Sequence, residues 1–236
     1  CELAARFGPH PAFAGTRAAQ GELQFDLWGV APTQTERWAE LKLEIAAHGL
    51  RNSLMIAIAP TATIASIAGC YECIEPPVSN LFKRETLSGD FLQINRYLVA
   101  DLKARGLWSE VMRAAIKRAE GSIQEIEGIP GDLKLLYRTA WELPQKALID
   151  LAVARGPYID QSQSLNLFME NPAIGKLSSM YMYAWKQGVK TTYYLRSRPA
   201  TRIRQTTSAD SAAPAYSDAE SVACSLESPE SCEACQ

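Results

Sequence analysis

Histidine is nearly absent from this chain: His10 and His48 are the only two among 236 residues. So few leave little for a Ser-His-Asp triad or a histidine-rich metal centre. No apolar run approaches the roughly 18 residues that a membrane span needs, and the N-terminus carries no secretory signal. The first residue is Cys1 rather than Met, as expected for a processed product, a fragment or the second piece of a longer protein. Basic residues are missing after Arg204, while Asp210, Asp218, Glu220, Glu227, Glu230 and Glu233 follow it. Removing those six of the 26 acids leaves 20 in the body against 24 Lys and Arg, a balance too mildly basic to indicate a nucleic-acid partner. A glycine-rich phosphate loop is missing too, since "NPAIGKLSS" lacks the upstream Gly of a P-loop.

What remains is ordinary for a globular domain, with 47% apolar and 21% charged residues. Six cysteines without a signal peptide point to a reducing cytoplasm rather than a disulfide scaffold. The segment 22–33 alternates and then turns. The spacing of Trp38, Leu41, Leu43, Ile45 and Ala46 predicts a helix over 35–49, closed at Gly49. "SLMIAIA" (53–59) reads as a strand covered on both faces, followed by a turn into a short helix over 60–69. Helical patterns recur at about 90–105, 109–120, 132–142 and 144–155, broken at Gly106, Gly121, Pro130 and Pro144. Strand (162–169), helix (174–188) and strand (190–198) follow. Strands alternating with helices at both ends of the body imply parallel α/β construction, with the consecutive helices forming an insertion. From Gln205 the chain is low in apolar groups and acidic, and is expected to be disordered. The expected division is therefore a body over 1–204, with its helical insertion over about 90–155, and a flexible tail over 205–236.

Three places could carry chemistry. The turn Thr61–Ala62–Thr63 joins an apolar strand to a helix, whose first N–H groups lack intrahelical partners. Such an end holds a phosphate without charged side chains, and threonine hydroxyls add donors; an ordinary turn capped by Thr is the plainer reading. Tyr193 and Tyr194 are adjacent in a predicted strand, where neighbours point to opposite faces, and aromatics there are also simply good strand formers. Cys70-x-x-Cys73 and Cys232-x-x-Cys235 have the spacing of a Cys₄ zinc site but lie more than 150 residues apart. A reversible dithiol suits Cys232 and Cys235 better, with Glu230 and Glu233 raising the thiol pKa. Cys70 and Cys73 read as core thiols, with a redox pair left open.

Long ungapped motifs join these places. "RNSLMIAIAPTATIASIAG", "IEPPVSN", "IDQSQSLNLF", "GKLSSMYMYAWKQGVKTTYYLRSRPA" and the terminal "CSLESPESCEAC" resemble the C-terminal part of the class I ribonucleotide reductase large subunit. "GELQFDLWGVAPT" and "LSGDFLQINRYLVADLKARGLW" extend the likeness over nearly the whole chain. The resemblance implies the later part of a ten-stranded α/β barrel with a helical insertion. It implies that Thr61, Ala62, Thr63, Ile64 and Ala65 bind the diphosphate of a ribonucleoside diphosphate through backbone amides. Tyr193 and Tyr194 would relay a radical, and Cys232 and Cys235 would pass electrons from thioredoxin or glutaredoxin. No cofactor is implied in this chain; a radical-generating metal cofactor would sit in the small subunit. The family's Asn-x-Cys-x-Glu motif does not occur here, so the catalytic cysteine and the N-terminal part of the large subunit are expected upstream of Cys1. The chain alone should then be inactive. Two other readings are a glycyl radical enzyme of a related barrel, which the lack of an Arg-Val-x-Gly loop disfavours, and a non-catalytic split product that keeps the phosphate turn.

Overall fold

The computed structural model of the chain describes residues 1–86 and 89–198. Residues 22–33, which alternate in sequence, hold a short helix instead of an extended segment. Helix α1 (Glu2–Phe7) is followed by α2 (Gln24–Leu27), where Asp26 accepts from the Leu23 N–H (2.7 Å) and pairs with Lys42 (2.7 Å). That ion pair holds the Asp26 carboxyl below the usual carboxylate range, chiefly through the hydrogen bond from Lys42. Helix α3 (Thr35–His48) ends as its sequence predicts, at Gly49 with φ 73°. Helix α4 (Ala62–Ala68) follows the apolar segment 53–59.

A hairpin comes next: β1 (Leu81–Thr86) pairs antiparallel with β2 (Gly89–Ile94). The helical pattern therefore starts late. Asn95 opens it as the N-cap, its side-chain Oδ1 accepting from the Tyr97 and Leu98 N–H groups. Helices α5 (Arg96–Ala104), α6 (Glu110–Arg118), α7 (Gly131–Leu136) and α8 (Gln145–Arg155) then run in sequence. Ser109 caps α6 through the Met112 N–H.

Helices α5, α6 and α7 share with the hairpin a core of Leu81, Leu98, Leu102, Ile116, Ile123, Ile129, Leu133 and Tyr137. Asn80, buried beside it, joins three segments. Its Nδ2 donates to the carbonyls of Gly121 (3.1 Å) and Tyr137 (2.9 Å), while its Oδ1 accepts from Asn95 (3.0 Å). Gly121 is forced at that junction: its φ is +83°, and a Cβ would strike Ser79 Oγ and the Leu81 backbone N.

A second core lies where α8 and α9 (Ile174–Lys186) cover the strand between them. It contains Leu148, Ile149 and Ala152 of α8, Met180 and Ala184 of α9, and Leu165 and Leu167 of the strand. Within that strand β3 (Leu167–Phe168) pairs parallel with β4 (Leu195–Arg196). The expected strand over 190–198 is thus regular only at its centre. The expected two-sided cover over 53–59 is not found either. That segment has a neighbour on one edge, and Leu54, Met55 and Ile56 are exposed. Among the described residues, no helix is long and apolar enough to cross a membrane.

Candidate functional site

Three extended segments run side by side and parallel. The middle one, 161–169, bonds on one edge to 56–58: Gln161 N donates to Ile56 O (3.1 Å), Ile58 N to Ser162 O (3.2 Å), and Ser164 N to Ile58 O (2.7 Å). On its other edge Tyr193 N donates to Leu165 O (2.8 Å), Leu167 N to Tyr194 O (2.9 Å), and Met169 N to Arg196 O (2.9 Å). Asp160 fixes the start of the first segment, its two carboxylate oxygens accepting from Met55 N (2.7 Å) and Ile56 N (2.8 Å). Lys190 fixes the start of the third, donating to the carbonyls of Ile159, Asp160 and Gln161.

The register sets what lies level with what. Ile58 pairs with Gln163, whose carbonyl accepts from the Thr191 hydroxyl (2.8 Å), and Leu167 pairs with Leu195. One residue before that second pair Asn166 lies beside Tyr194, while the first segment has turned at Pro60–Thr61 into α4. The turn that opens α4 follows the first segment and the tyrosine pair precedes β4 on the third, both segments being hydrogen-bonded to the same middle one.

At the turn, Thr61 is the N-cap residue but does not cap: its hydroxyl donates to Glu72 O (2.9 Å). The reading of a turn capped by its own Thr is thereby corrected, and so is the reading of the Thr61 hydroxyl as a free donor. The N–H groups of Ala62, Thr63 and Ile64 are those that a helix start leaves without intrahelical acceptors. Thr63 and Ile64 are exposed and Ala65 is buried.

Tyr193 and Tyr194 do not face opposite ways. Regular strand begins only at Leu195, so the alternation of a pleated strand does not reach them, and their ring centroids lie 4.1 Å apart at 53°. Each is 49% exposed. The hydrogen bond between the two side chains pushes the Tyr193 hydroxyl above its ordinary pKa. The Arg196 guanidinium lies over the Tyr194 ring, 5.3 Å from its centre.

Two residues that the sequence reading passed over lie beside the turn. Glu75 and Asn166 are 5% and 4% exposed. Glu75 accepts from both the backbone N–H and the Nδ2 of Asn166, each at 3.0 Å. Asn166 Nδ2 also reaches Cys73 Sγ (3.5 Å). Burial, then Glu75 and Glu72, push the Cys73 thiol upward, so it stays protonated at neutral pH. Cys70 is exposed rather than a core thiol, and no group of three His, Cys, Asp or Glu converges among the described residues. Cys232, Cys235 and the tail from Gln205 lie outside the described residues. The sequence signals for Glu75 and Asn166 were a single acid in "CIEPPV" and a single amide in "SLNLF", each flanked by apolar residues.

The family model of the ribonucleotide reductase barrel domain matches residues 1–195. The chain belongs to that family. The ribonucleotide reductase relatives include the ribonucleoside-diphosphate reductase large subunit of Caenorhabditis elegans, 50% identical over 208 residues, which are 88% of this chain and 26% of that protein. The large chain of Schizosaccharomyces pombe is 50% identical over 202 residues, 85% of this chain and 25% of that one. This chain thus spans about a quarter of the length of the curated relatives it matches. In fold it is similar to the class Id ribonucleotide reductase alpha subunit of Actinobacillus ureae, with a TM-score of 0.57 over 79% of this chain and 37% of that one, at 24% identity.

Proposed function

We propose that this chain is the C-terminal portion of the large subunit of a ribonucleoside-diphosphate reductase, which replaces the ribose 2′-OH with hydrogen. The observation that carries the reading is that the segment leading into the turn at Thr61 and the segment bearing Tyr193 and Tyr194 both hydrogen-bond to one middle segment. It supports a reading in which the turn binds an anion and the two phenols serve the same site. The substrate diphosphate is held by the first-turn N–H groups of α4, from Ala62 to Ile64, the Ala65 N–H being taken by Thr61 O (2.8 Å), with Thr63 adding its exposed hydroxyl. Tyr194 and Tyr193, in ring contact, carry the radical by losing and regaining the phenolic hydrogen. A metal cofactor in a small-subunit partner supplies that radical. Two thiols supply the electrons, and the 2′ oxygen leaves as water.

The substrate-facing cysteine belongs to an Asn-x-Cys-x-Glu motif that this chain lacks, so the activity belongs to the longer subunit. Exposed Leu54, Met55 and Ile56 support a further barrel segment lying against 53–59. Cys232 and Cys235 take electrons from thioredoxin or glutaredoxin and pass them inward. A chain of about 27 residues, the separation of Gln205 from Cys232, has a root-mean-square reach of roughly 26–31 Å when unstructured.

The test uses the full-length subunit with its small subunit and thioredoxin. Conversion of a ribonucleoside diphosphate to its 2′-deoxy form is expected. Cys232→Ser with Cys235→Ser should abolish thioredoxin-driven turnover, spare the single round stored in pre-reduced enzyme, and be partly rescued by a small dithiol. Unchanged thioredoxin-driven turnover in the double variant would refute the relay, and no deoxy product from the wild-type assembly would refute the activity.

A further inference from the structure

We propose that Glu75 is a positioning residue for the tyrosine pair: its buried carboxylate takes the place of a missing strand neighbour and fixes the backbone on which Tyr193 and Tyr194 are held. The inference rests on the radical-relay reading of that pair.

Along the middle segment, Ser164 N bonds to Ile58 O, and a continuing parallel ladder would next offer Asn166 N the carbonyl of residue 60. The first segment has turned away by then, at Pro60–Thr61, to start α4. A buried N–H left without an acceptor is costly, and Glu75 Oε1 supplies one at 3.0 Å. Glu75 Oε2 takes the side chain of the same residue, so Asn166 is gripped at backbone and side chain together. The residues on either side of Asn166 hold the pair: Leu165 O accepts from Tyr193 N, and Leu167 N donates to Tyr194 O. Leu165 and Leu167 are packed under α8 and α9, while Asn166, alternate to them, depends on Glu75 on the other face. A tilt of the peptide at Asn166 therefore shifts both tyrosine bonds.

The Glu75 loop is also tied to the substrate turn, since Glu72 O accepts from Thr61 Oγ1. One loop thus bridges the turn and the strand that carries the relay.

Glu75→Gln keeps the shape but sets an N–H against a donor of Asn166. In the full-length subunit, kcat should fall by about 10–100-fold, the scale of one charged hydrogen bond lost. KM for a ribonucleoside diphosphate should stay within about twofold, because the turn amides are untouched. With the easily oxidised analogue 3-aminotyrosine in place of Tyr194, the trapped radical seen by electron paramagnetic resonance should drop in parallel with kcat. Asn166→Ser keeps the backbone bond and loses the side-chain one, and should show a smaller loss of the same kind; it decides the matter if Glu75→Gln does not fold. Wild-type kcat in the variant that folds, or a KM rise that accounts for the whole loss, overturns the positioning role. Tyr194→Phe measured alongside separates the two ideas: turnover retained there overturns the relay reading itself, whereas an inactive Tyr194→Phe with normal Glu75→Gln overturns only the part given to Glu75.

Discussion

The hydroxyl of Thr61 points away from the helix it precedes, to Glu72 O, and leaves the first amides of α4 to whatever arrives from outside. Binding through main-chain N–H groups has a clear signature. Thr63→Ala removes an exposed hydroxyl and should change nucleoside diphosphate affinity by less than about threefold in the full-length subunit. Ala62→Pro removes one N–H while leaving a residue that helices accept in their first turn. Its affinity should fall about tenfold or more, on the scale of a charge-assisted hydrogen bond. Ala62→Gly, which keeps the N–H, is the control and should bind nearly as wild type. Equilibrium binding of a ribonucleoside diphosphate measures all three. Equal losses from Thr63→Ala and Ala62→Pro would contradict amide-based binding.

At the scale of elements, the helical insertion hangs on the junction of Asn80 and Gly121. Gly121 and Gly128 both have left-handed backbones, with φ +83° and +79°, but only at Gly121 would a Cβ strike neighbouring backbone. Gly128→Ala should cost about 1–2 kcal/mol of left-handed strain alone. Gly121→Ala should cost more, because the Leu81 N and Asn80 N must also move. Amide hydrogen exchange in α5 and α6 should report the order, with protection lost first in Gly121→Ala; the reverse order would show that the junction is not what holds the insertion.

The long helices were legible, because their apolar spacing, the stop at Gly49 and the start after Pro144 act locally, whereas the helix expected over 132–142 is regular only over Gly131–Leu136. The hairpin of β1 and β2 was not. Its residues merge with the helical pattern that follows, and the marker separating them is one cap, Asn95. The tyrosine pair was read as alternating because strand periodicity was extended over residues the regular strand does not include. Glu75 and Asn166 were missed for a different reason: they bond across 91 positions, a distance over which a local pattern says nothing.

On the scale of the whole chain, two separate cores do different work. The first, under the hairpin, keeps the insertion compact. The second presses α8 and α9 onto the outer face of the middle strand and so sets the height of Asn166 and the tyrosine bonds. From this division comes the central claim, that the turn and the pair serve one reaction while binding and radical transfer remain separable. Steady-state kinetics of Tyr193→Phe and Tyr194→Phe, in the full-length subunit with its small subunit, tests that claim most directly. Phe keeps the ring contact and removes the phenolic hydrogen. Each variant should bind a ribonucleoside diphosphate within about twofold of wild type and form no detectable deoxy product. Near wild-type turnover in either one would reduce that tyrosine to a packing residue and contradict the account.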